Sequence, residues 1–276
     1  MKTIKGERRL KTTIAVFITV PFIIPFLFLI STAVRERADY ILDPGGVPTS
    51  FTFDHLVNAW NGASLGQALL STLFVCFVAC VVCGSTALAG AYWFRLHSGR
   101  AVGMMRSILV AGYAIPMIAW LIPVFVILAG GGLTGNLLIA GIINGVSSLP
   151  FAVYLIHTFF KQVLTNELLE ATTLDGAGVL KAFWHIAVPL SLPAIASVIA
   201  LVFVWTFGDL LVAATLLQSD PSVYTVTLAA TSLSTREDVN LQGQAAAALV
   251  ALLPTLVVFV MAQRALAKGF GGGSEK

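Results

Sequence analysis

Few side chains in this sequence are of the types that perform chemistry in proteins. Its 276 residues include only three cysteines and four histidines. Cys76, Cys80 and Cys83 are spaced at i, i+4 and i+7, so on a helix they share one face. That spacing is open to a metal site, but no histidine or carboxylate occurs in the same apolar segment, and cysteine also serves as a small packing residue. Packing is therefore the favoured interpretation, and a metal site is the alternative.

The histidines do not form a catalytic pattern. His55, His97, His157 and His185 show neither metal-ligand spacing nor a convincing acid–base pair. His157 lies near the end of an apolar segment, where a polar tip commonly reaches water. The sequence has no G-x-x-x-x-G-K-[ST] loop that would bind nucleotide phosphates. We therefore expect no catalytic residue, no metal and no cofactor on this chain.

Two groups of residues could instead hold a solute. A polar stripe covers about 120° of a helix at 100° per residue, and its members are Asn144, Ser147, Ser148, Tyr154 and Thr158. In an apolar environment such a stripe faces either water or a hydrogen-bonding partner. Lining of a cavity and hydrogen-bonded helix packing are both compatible with it.

Tyr113 and Trp120 form the second group. They are seven residues apart and flank Pro116, so a continuous helix would place both rings on one face. Sugars present flat C–H faces that stack on aromatic rings. Stacking on a sugar and simple packing are the two interpretations of this pair.

The composition indicates which environment these residues occupy. Apolar residues make up 58% of the chain and charged residues only 11%, whereas soluble domains carry about 25% charged residues. Six stretches are long enough to cross a bilayer, which takes about 20 apolar residues, and they are approximately 12–34, 69–91, 107–128, 137–160, 192–214 and 245–262. These stretches are continuously apolar rather than alternating, so the sequence predicts an all-α integral membrane protein with six transmembrane helices.

The distribution of positive charge predicts the orientation. If residues 1–11 are cytoplasmic, 13 of the 16 Lys and Arg residues lie inside, and only Arg35, Arg37 and Arg236 lie outside. We therefore expect a multi-pass protein of the cytoplasmic membrane with both termini cytoplasmic, including the tail 263–276. The apolar run of the first stretch exceeds the roughly 7–15 residues of a signal peptide, which favours a retained span. The net charge is only +3, and the Lys and Arg residues are concentrated on one side of the membrane, so we do not expect nucleic acid as a partner.

Asp209 is the one carboxylate within the predicted spans. Ionisable residues inside membranes are functional by default. Counted from Leu192 it lies 17 residues along the fifth span, about 25 Å at 1.5 Å per residue and so near the outer surface. A structural contact at an outer gate and a role near the solute path are equally compatible with this position.

The connection 161–191 between the fourth and fifth spans is predicted to be cytoplasmic and structured. Asn166 is a candidate N-cap, and Glu167 lies in the first turn, where the helix dipole favours a negative charge. Asp175-Gly176 is a turn pair that ends this helix. A second amphipathic stretch follows, and Pro189 and Pro193 are expected to separate it from the fifth span. Two short helices with a break between them predict a docking surface.

This connection resembles the EAA motif, E-A-A-x3-G-x9-I-x-L-P, of permease subunits in binding-protein-dependent ABC importers. The matching residues are Glu170-Ala171-Thr172, Gly176 and Ile186-Ala187-Val188-Pro189. Asp175-Gly176 and the pair Trp205 and Asp209 are similar to the carbohydrate importers, and the format is similar to the smaller permease of the maltose-type heterodimer. Thr172 and Val188 depart from the motif, and Gly208 stands where the family usually has Asn.

The resemblance implies a mechanism and a set of partners. Residues 166–176 are expected to form a coupling helix in a groove of a separate ATPase, with Ala171 and Thr172 allowing close approach. The expected partners are a second permease subunit, an ATPase dimer that holds ATP and Mg²⁺, an extracytoplasmic solute-binding protein and membrane lipid. The segment 218–242 is a candidate contact for that binding protein. The implied ATPase-coupling residues are Glu167, Glu170, Ala171, Thr172, Asp175, Gly176, Ile186 and Pro189.

Three alternatives remain at this stage. A permease for another small solute, such as a polyol, glycerol phosphate or a peptide, shares the glutamate–glycine core of the motif. A secondary transporter would need a coupling-ion site and often inverted repeats, for which Asp209 alone is poor support. An intramembrane enzyme would need a catalytic constellation in the spans, and none is present in the sequence.

Overall fold

The computed structural model describes residues 2–234 and 239–271. All regular secondary structure in these residues is helical. The helices are α1 (Lys2–Val34), α2 (Arg37–Leu42), α3 (Asp54–Gly62), α4 (Leu65–Leu96), α5 (Arg100–Gly112), α6 (Met117–Gly130), α7 (Leu137–Val163), α8 (Asn166–Leu174), α9 (Val179–Ala182), α10 (Val188–Phe207), α11 (Leu211–Leu216), α12 (Val226–Ser232) and α13 (Leu241–Gly271), with a π-helical turn at Phe183–Ala187 and a 3-10 turn at Pro221–Val223. Arg236 and the end of the predicted tail lie outside the described residues.

The predicted class of an all-α membrane protein is confirmed. Among the described residues, five helices are long and apolar enough to cross a membrane, and the number is six if one bent pair is counted as a single span. The five are Ala15–Val34, Leu65–Leu96, Leu137–Val163, Val179–Phe207 and Leu241–Gln263. The last helix continues to Gly271, so the start of the predicted tail is helical.

The third predicted span, 107–128, is not one continuous helix. It consists of α5 and α6, whose axes differ by 90°. The break falls at Pro116, which lacks the N–H that would continue the helix and precedes α6 with an extended ψ of 133°. Tyr113 therefore lies in the turn after α5 and Trp120 lies in α6, so they do not share the helical face that their spacing suggests.

The fifth predicted span, 192–214, has different limits in the structure. The expected separation at Pro189 and Pro193 is wrong, because a continuous helical segment runs from Val179 to Phe207. A π turn precedes Pro189, and in it the N–H of Val188 donates to the carbonyl of Phe183, five residues back. This wider turn accommodates a proline that cannot donate its own hydrogen bond. The span ends at Phe207, and Asp209 lies beyond it.

By its internal contacts the chain divides into two compact units. One combines the chain up to Gly66 with Ala229–Leu252, and the other combines Gln67–Leu228 with the chain from Leu253 onward.

The first unit contains a buried arginine, Arg35, which is only 1% exposed. Its Nε donates to Asp39 Oδ2 at 2.6 Å, and its Nη1 donates to the carbonyl of Asp43 at 2.8 Å. Thr49 also donates to Asp39, from its N–H at 3.0 Å and its hydroxyl at 2.7 Å. These donors, the Arg35 guanidinium first, hold the pKa of Asp39 well below its usual range. Arg35 therefore organises the connection after α1, a role that its charge alone did not indicate.

The core of the second unit is built by α4, α7 and α10. Fully buried small residues occupy the contact surfaces, among them Ala79, Ala87 and Ala91 of α4 and Ala152 of α7. Small side chains let helix backbones approach closely, which supplies packing energy where lipid gives no hydrophobic driving force.

The cysteines belong to this helix packing. Cys76 Sγ lies 3.8 Å from the Phe203 carbonyl, and Cys80 Sγ lies 3.6 Å from the Ile199 carbonyl, so both contact α10. Cys76 and Cys83 are buried. In the described part of the chain, these thiols are not joined by other side chains into a group of three or more able to hold a metal. The structure supports the packing interpretation of the cysteines.

Two glycines of α7, Gly141 and Gly145, lie in close contact with α4. A Cβ at Gly141 would lie 2.6 Å from Val78 Cβ, and one at Gly145 would lie 2.9 Å from the Ala79 carbonyl oxygen. The spacing of four residues places both glycines on the face of α7 that meets α4. The sequence Gly-x-x-x-Gly is thus explained by helix packing.

We predict that Gly145→Ala destabilises the protein, because the added methyl group meets backbone that cannot move without displacing α4. Overpacking of this kind costs about 1–3 kcal/mol. The matched control is Gly90→Ala in α4, where the nearest atom to an added Cβ is Val153 Cγ2 at an ordinary 3.8 Å. Thermal unfolding of the purified protein should show a lower midpoint for Gly145→Ala only. Equal midpoints for both variants would contradict the close contact.

Candidate functional site

The coupling segment 166–176 begins at a Thr165 N-cap. The Thr165 hydroxyl oxygen accepts a hydrogen bond from the N–H of Leu168 at 3.3 Å. The expected cap, Asn166, is instead the first helical residue of α8. The pKa of Glu167 is lowered, because its own N–H and the Thr165 hydroxyl donate to its carboxylate. The start of α8 therefore places a negative charge where the helix dipole stabilises it.

One face of α8 is exposed and the other is packed. Glu170, Ala171 and Asp175 are exposed, and Leu174 keeps 88% of its surface accessible. Thr172 was expected to lie with Ala171 on the docking face, but it lies on the packed face of α8. Only 8% of Thr172 is exposed, and its hydroxyl donates to the Leu169 carbonyl at 2.7 Å. A small polar residue fits this inward position because its hydroxyl is satisfied within the helix.

The end of α8 is a Schellman motif, which satisfies its last carbonyls. The N–H of Ala177 donates to the Thr172 carbonyl at 3.0 Å, and the N–H of Gly176 donates to the Thr173 carbonyl at 3.1 Å. Gly176 has a φ of +69°, a conformation that costs L-residues about 1–2 kcal/mol. The predicted turn at Asp175-Gly176 is therefore a glycine-dependent reversal of the chain.

Arg95, near the end of α4, holds the junction between α7 and α8. Its Nε donates to the carbonyl of Leu164, the C-cap of α7, at 2.8 Å, and its Nη2 donates to the same oxygen. Nη2 also donates to Asn166 Oδ1 at 2.9 Å. Sequence reasoning counted Arg95 only as a positive charge on the inner side. Its contacts are 69 and 71 residues distant in sequence, so no local pattern indicates them.

Tyr92, one helical turn before Arg95, holds the chain that follows α8. Its hydroxyl donates to the Val179 carbonyl at 3.3 Å. Its ring lies 5.1 Å from the ring of Phe183 and 6.0 Å from that of Phe160. In the same stretch Ile186 is half-buried against the core, whereas Pro189 is exposed. The last turn of α4 thus contacts the chain on both sides of the coupling helix.

A cavity of about 320 Å³ brings together most of the predicted solute residues. Six of the eight residues considered in the sequence analysis line it, namely Tyr113, Trp120, Asn144, Ser147, Ser148 and Asp209. The 90° bend between α5 and α6 places Tyr113 and Trp120 around the same space although they do not share a helix. Trp205 and Thr206 of α10 also line it, and the sequence analysis did not include these two among the solute candidates.

The polar stripe of α7 is hydrogen-bonded within its own helix. Ser147 and Ser148 donate to the Asn144 carbonyl at 2.8 and 3.1 Å, and Asn144 Nδ2 lies 3.2 Å from the Ala140 carbonyl. The hydroxyl donors are therefore satisfied by backbone. Their oxygen lone pairs still provide acceptors toward the cavity.

Asp209 caps α11 from the short break after α10. Its Oδ1 accepts from the N–H of Leu211 at 3.2 Å, and its Oδ2 accepts from Val212 at 3.1 Å and Ala213 at 3.3 Å. The Asn144 side chain also donates to this carboxylate. Asp209 is thus a helix cap that simultaneously faces the cavity, and its predicted position inside the span is wrong.

Tyr154 and Thr158, the other two members of the polar stripe, lie elsewhere. They line a second cavity, of about 600 Å³, together with His157. Phe151 occupies the same stripe of α7 between the two sets of residues. Its ring lies 6.2 Å from Tyr113 and 5.0 Å from Trp205. Phe151 is apolar and was not predicted, because only its aromatic neighbours on other helices reveal the cluster.

The sequence of this chain is similar to those of known membrane transport proteins. Residues 83–271 match the family described as binding-protein-dependent transport system inner membrane component. The melibiose/raffinose/stachyose import permease protein MelC of Bacillus subtilis is 29% identical over 270 residues, 97% of this chain and 96% of that protein. The diacetylchitobiose uptake system permease protein NgcG of Streptomyces coelicolor is 26% identical over 91% of this chain and 83% of its own length.

A solved structure has the same fold. A chain from the crystal structure of a bacterial ABC transporter involved in the import of the acidic polysaccharide alginate superposes with a TM-score of 0.75 at 18% identity. The alignment covers 94% of this chain and 97% of that one. The family match includes α8, the Schellman turn and the Arg95 junction within its limits. The chain belongs to the family of inner-membrane components of binding-protein-dependent transport systems.

Proposed function

We propose that this chain is a permease subunit of an ABC importer that moves a sugar or oligosaccharide across the cytoplasmic membrane. The observation that carries the proposal is the exposed helix α8, with Glu170 and Ala171 on its free face and Gly176 in the left-handed conformation at its end. Those residues are the ones that the EAA motif requires. Both termini and α8 are cytoplasmic in this proposal.

The working complex contains several further subunits. A second permease completes the translocation path, an ATPase dimer binds α8, and an extracytoplasmic binding protein delivers the solute. ATP and Mg²⁺ bind the ATPase, so this chain is not an enzyme. Leu174 of α8 keeps 88% of its surface accessible, so it is available for contact with the ATPase.

Movement of α8 reaches the spans through α4. When ATP closes the ATPase dimer, α8 is displaced as a rigid body. Arg95 and Tyr92 hold the chain before and after it, so α4 must follow. The buried alanine contacts of α4 with α7 then carry the displacement into the packed bundle. Close-packed helices respond by switching between arrangements rather than by deforming gradually.

The cavity supports a sugar as the solute. Tyr113, Trp120 and Trp205 supply aromatic rings, and Asn144 and Asp209 supply polar groups in the same 320 Å³ space. A small number of polar groups among apolar walls is typical of small-molecule sites. The names of MelC and NgcG, a melibiose/raffinose/stachyose and a diacetylchitobiose permease, support the same solute class.

The proposal is tested by solute uptake into vesicles that contain this chain with its partner subunits. We expect uptake of an oligosaccharide to require ATP and the binding protein, and to be unaffected by an imposed proton or sodium gradient.

Coupling is tested by Gly176→Ala, which forces a side chain into a left-handed conformation. We expect this variant to hydrolyse more ATP per sugar transported.

The matched control for that variant is Gly178→Ala. Gly178 has an ordinary φ of −65°, and no atom lies within 4 Å of an added Cβ. This control should transport at the normal ratio of sugar to ATP. Gradient-driven uptake without ATP would contradict the proposed importer, and identical ratios in the two variants would contradict the role of Gly176.

A further prediction separates the two contacts of Asp209. Asp209→Ala removes the cap of α11, at a cost of about 1 kcal/mol, and also removes the carboxylate from the cavity. Asp209→Asn keeps one oxygen that accepts from the N–H groups of α11 and loses the charge and the second acceptor. We expect thermal stability to fall most in the alanine variant and less in the asparagine variant, while sugar uptake falls in both. Normal uptake by Asp209→Asn would show that capping is the whole role of Asp209.

A further inference from the structure

A positively charged pocket lies where α4, α5 and α7 end near the coupling segment. Two cavities, of about 600 and 300 Å³, share Arg106, His157 and Lys161 in their walls. Arg95 also lines the smaller cavity. We call this pair of cavities the basic pocket. It is distinct from the cavity that contains Asp209.

The charge of the basic pocket is not balanced from within. Of the described residues that line the two cavities, none is Asp or Glu. His157 is 5% exposed, and its Nε2 lies 3.1 Å from Arg106 Nη1. A guanidinium only donates hydrogen bonds, so this ring nitrogen accepts and holds the Arg106 side chain in place. The pocket thus presents a fixed guanidinium and a lysine ammonium without a counter-ion.

Hydroxyl groups complete the set of ligands for an oxyanion. Ser107 and Tyr154 bring hydroxyl groups to the larger cavity beside Arg106 and Lys161, whereas the Thr158 hydroxyl in the same wall donates to the Tyr154 carbonyl at 2.8 Å. Guanidinium, ammonium and hydroxyl groups together are the donors that bind phosphate oxygens in proteins. A phosphate group therefore fits the chemistry of the pocket better than a neutral solute does.

The surroundings indicate how a phosphate would arrive. Val110 and Ala111 of α5 form an apolar wall of the larger cavity. Next to it, α5 exposes Met104, Met105 and Ile108, each more than half accessible. Because α5 belongs to a membrane-spanning pair, acyl chains can lie along this surface while a headgroup enters the pocket.

We propose that the basic pocket binds the phosphate headgroup of an anionic phospholipid from the leaflet on the side of α8. Arg106 and Lys161 bind the phosphate, and the exposed face of α5 holds the acyl chains. Because Arg95 lines the pocket and also holds α8, the bound lipid is part of the surroundings of the coupling junction. The inference rests on the predicted orientation of the chain and is independent of which solute is transported.

The test uses the intact transporter, purified with its partner subunits from a mixture of equal parts phosphatidylglycerol and phosphatidylcholine. Lipid is removed stepwise with detergent, and native mass spectrometry measures which lipid is retained. We expect phosphatidylglycerol to be retained preferentially. In the double variant Arg106→Gln/Lys161→Gln its affinity should fall roughly 25-fold, because each basic group near an anionic surface contributes about fivefold.

Two further variants distinguish this site from general surface charge and from misfolding. Arg100→Gln removes a neighbouring positive charge of α5 that lines neither cavity, and it should retain phosphatidylglycerol normally. Arg106→Lys/Lys161→Arg keeps both charges and should retain most of the lipid. All variants are compared only as assembled complexes that elute normally in size exclusion.

Three results would overturn the proposal. Equal retention by the wild type and the glutamine double variant would show that the pocket does not bind the lipid. Equal losses in the double variant and in Arg100→Gln would assign the effect to surface charge. Displacement of phosphatidylglycerol by excess inorganic phosphate would identify free phosphate as the occupant instead of a lipid headgroup.

Discussion

The hydrogen bonds of Arg95 to the junction of α7 and α8 are the interaction on which the coupling account depends. Leu164 ends a long helix, and its carbonyl would lack a partner at this point without Arg95. The guanidinium satisfies that oxygen and also bonds the side chain of Asn166, the first residue of α8. Its charge is permanent and its donors are held in one plane, so a single group fixes both the position and the direction of the coupling helix.

The rest of the second unit is suited to transmit movement rather than to absorb it. Alanines of α4 and α7, and the pair Gly141 and Gly145, bring helix backbones into close contact. The π turn before Pro189 keeps the chain after α8 continuous with α10. A displacement of α8 therefore acts on rigid helices that are joined at both of its ends. The break at Pro116 bends the chain by 90° and forms part of the wall of the cavity that contains Asp209.

Local patterns in the sequence were sufficient for the membrane class, the approximate spans and the helix α8 with its turn at Gly176. These patterns gave the wrong residue where two adjacent residues could play the same structural role. Asn166 and Thr165 are both capping residues, and Thr165 holds the cap, which leaves the Asn166 side chain to bond Arg95. Thr172 occupies a motif position, but its orientation depends on the packing of α8, which leaves only 8% of the residue exposed.

Other features of the site depend on residues far apart in sequence. The contacts of Arg95 and Tyr92 span 69 to 87 residues, so their roles could not be inferred from spacing. Tyr113 and Trp120 were paired correctly, but for the wrong reason, because a bend rather than a shared helical face brings them to one cavity. Phe151 carries no polar group and is recognised only from its ring contacts with Tyr113 and Trp205.

The most direct test of the coupling account is the number of ATP molecules hydrolysed per solute imported by an Arg95→Gln transporter, measured with purified complexes in vesicles. Glutamine cannot bond both Leu164 and Asn166 as a guanidinium does, so the account predicts a fully assembled complex whose hydrolysis continues while import per ATP falls severalfold. Arg95→Lys should restore little, because an ammonium lacks the planar donors. An assembled Arg95→Gln complex with the normal ratio would contradict the account.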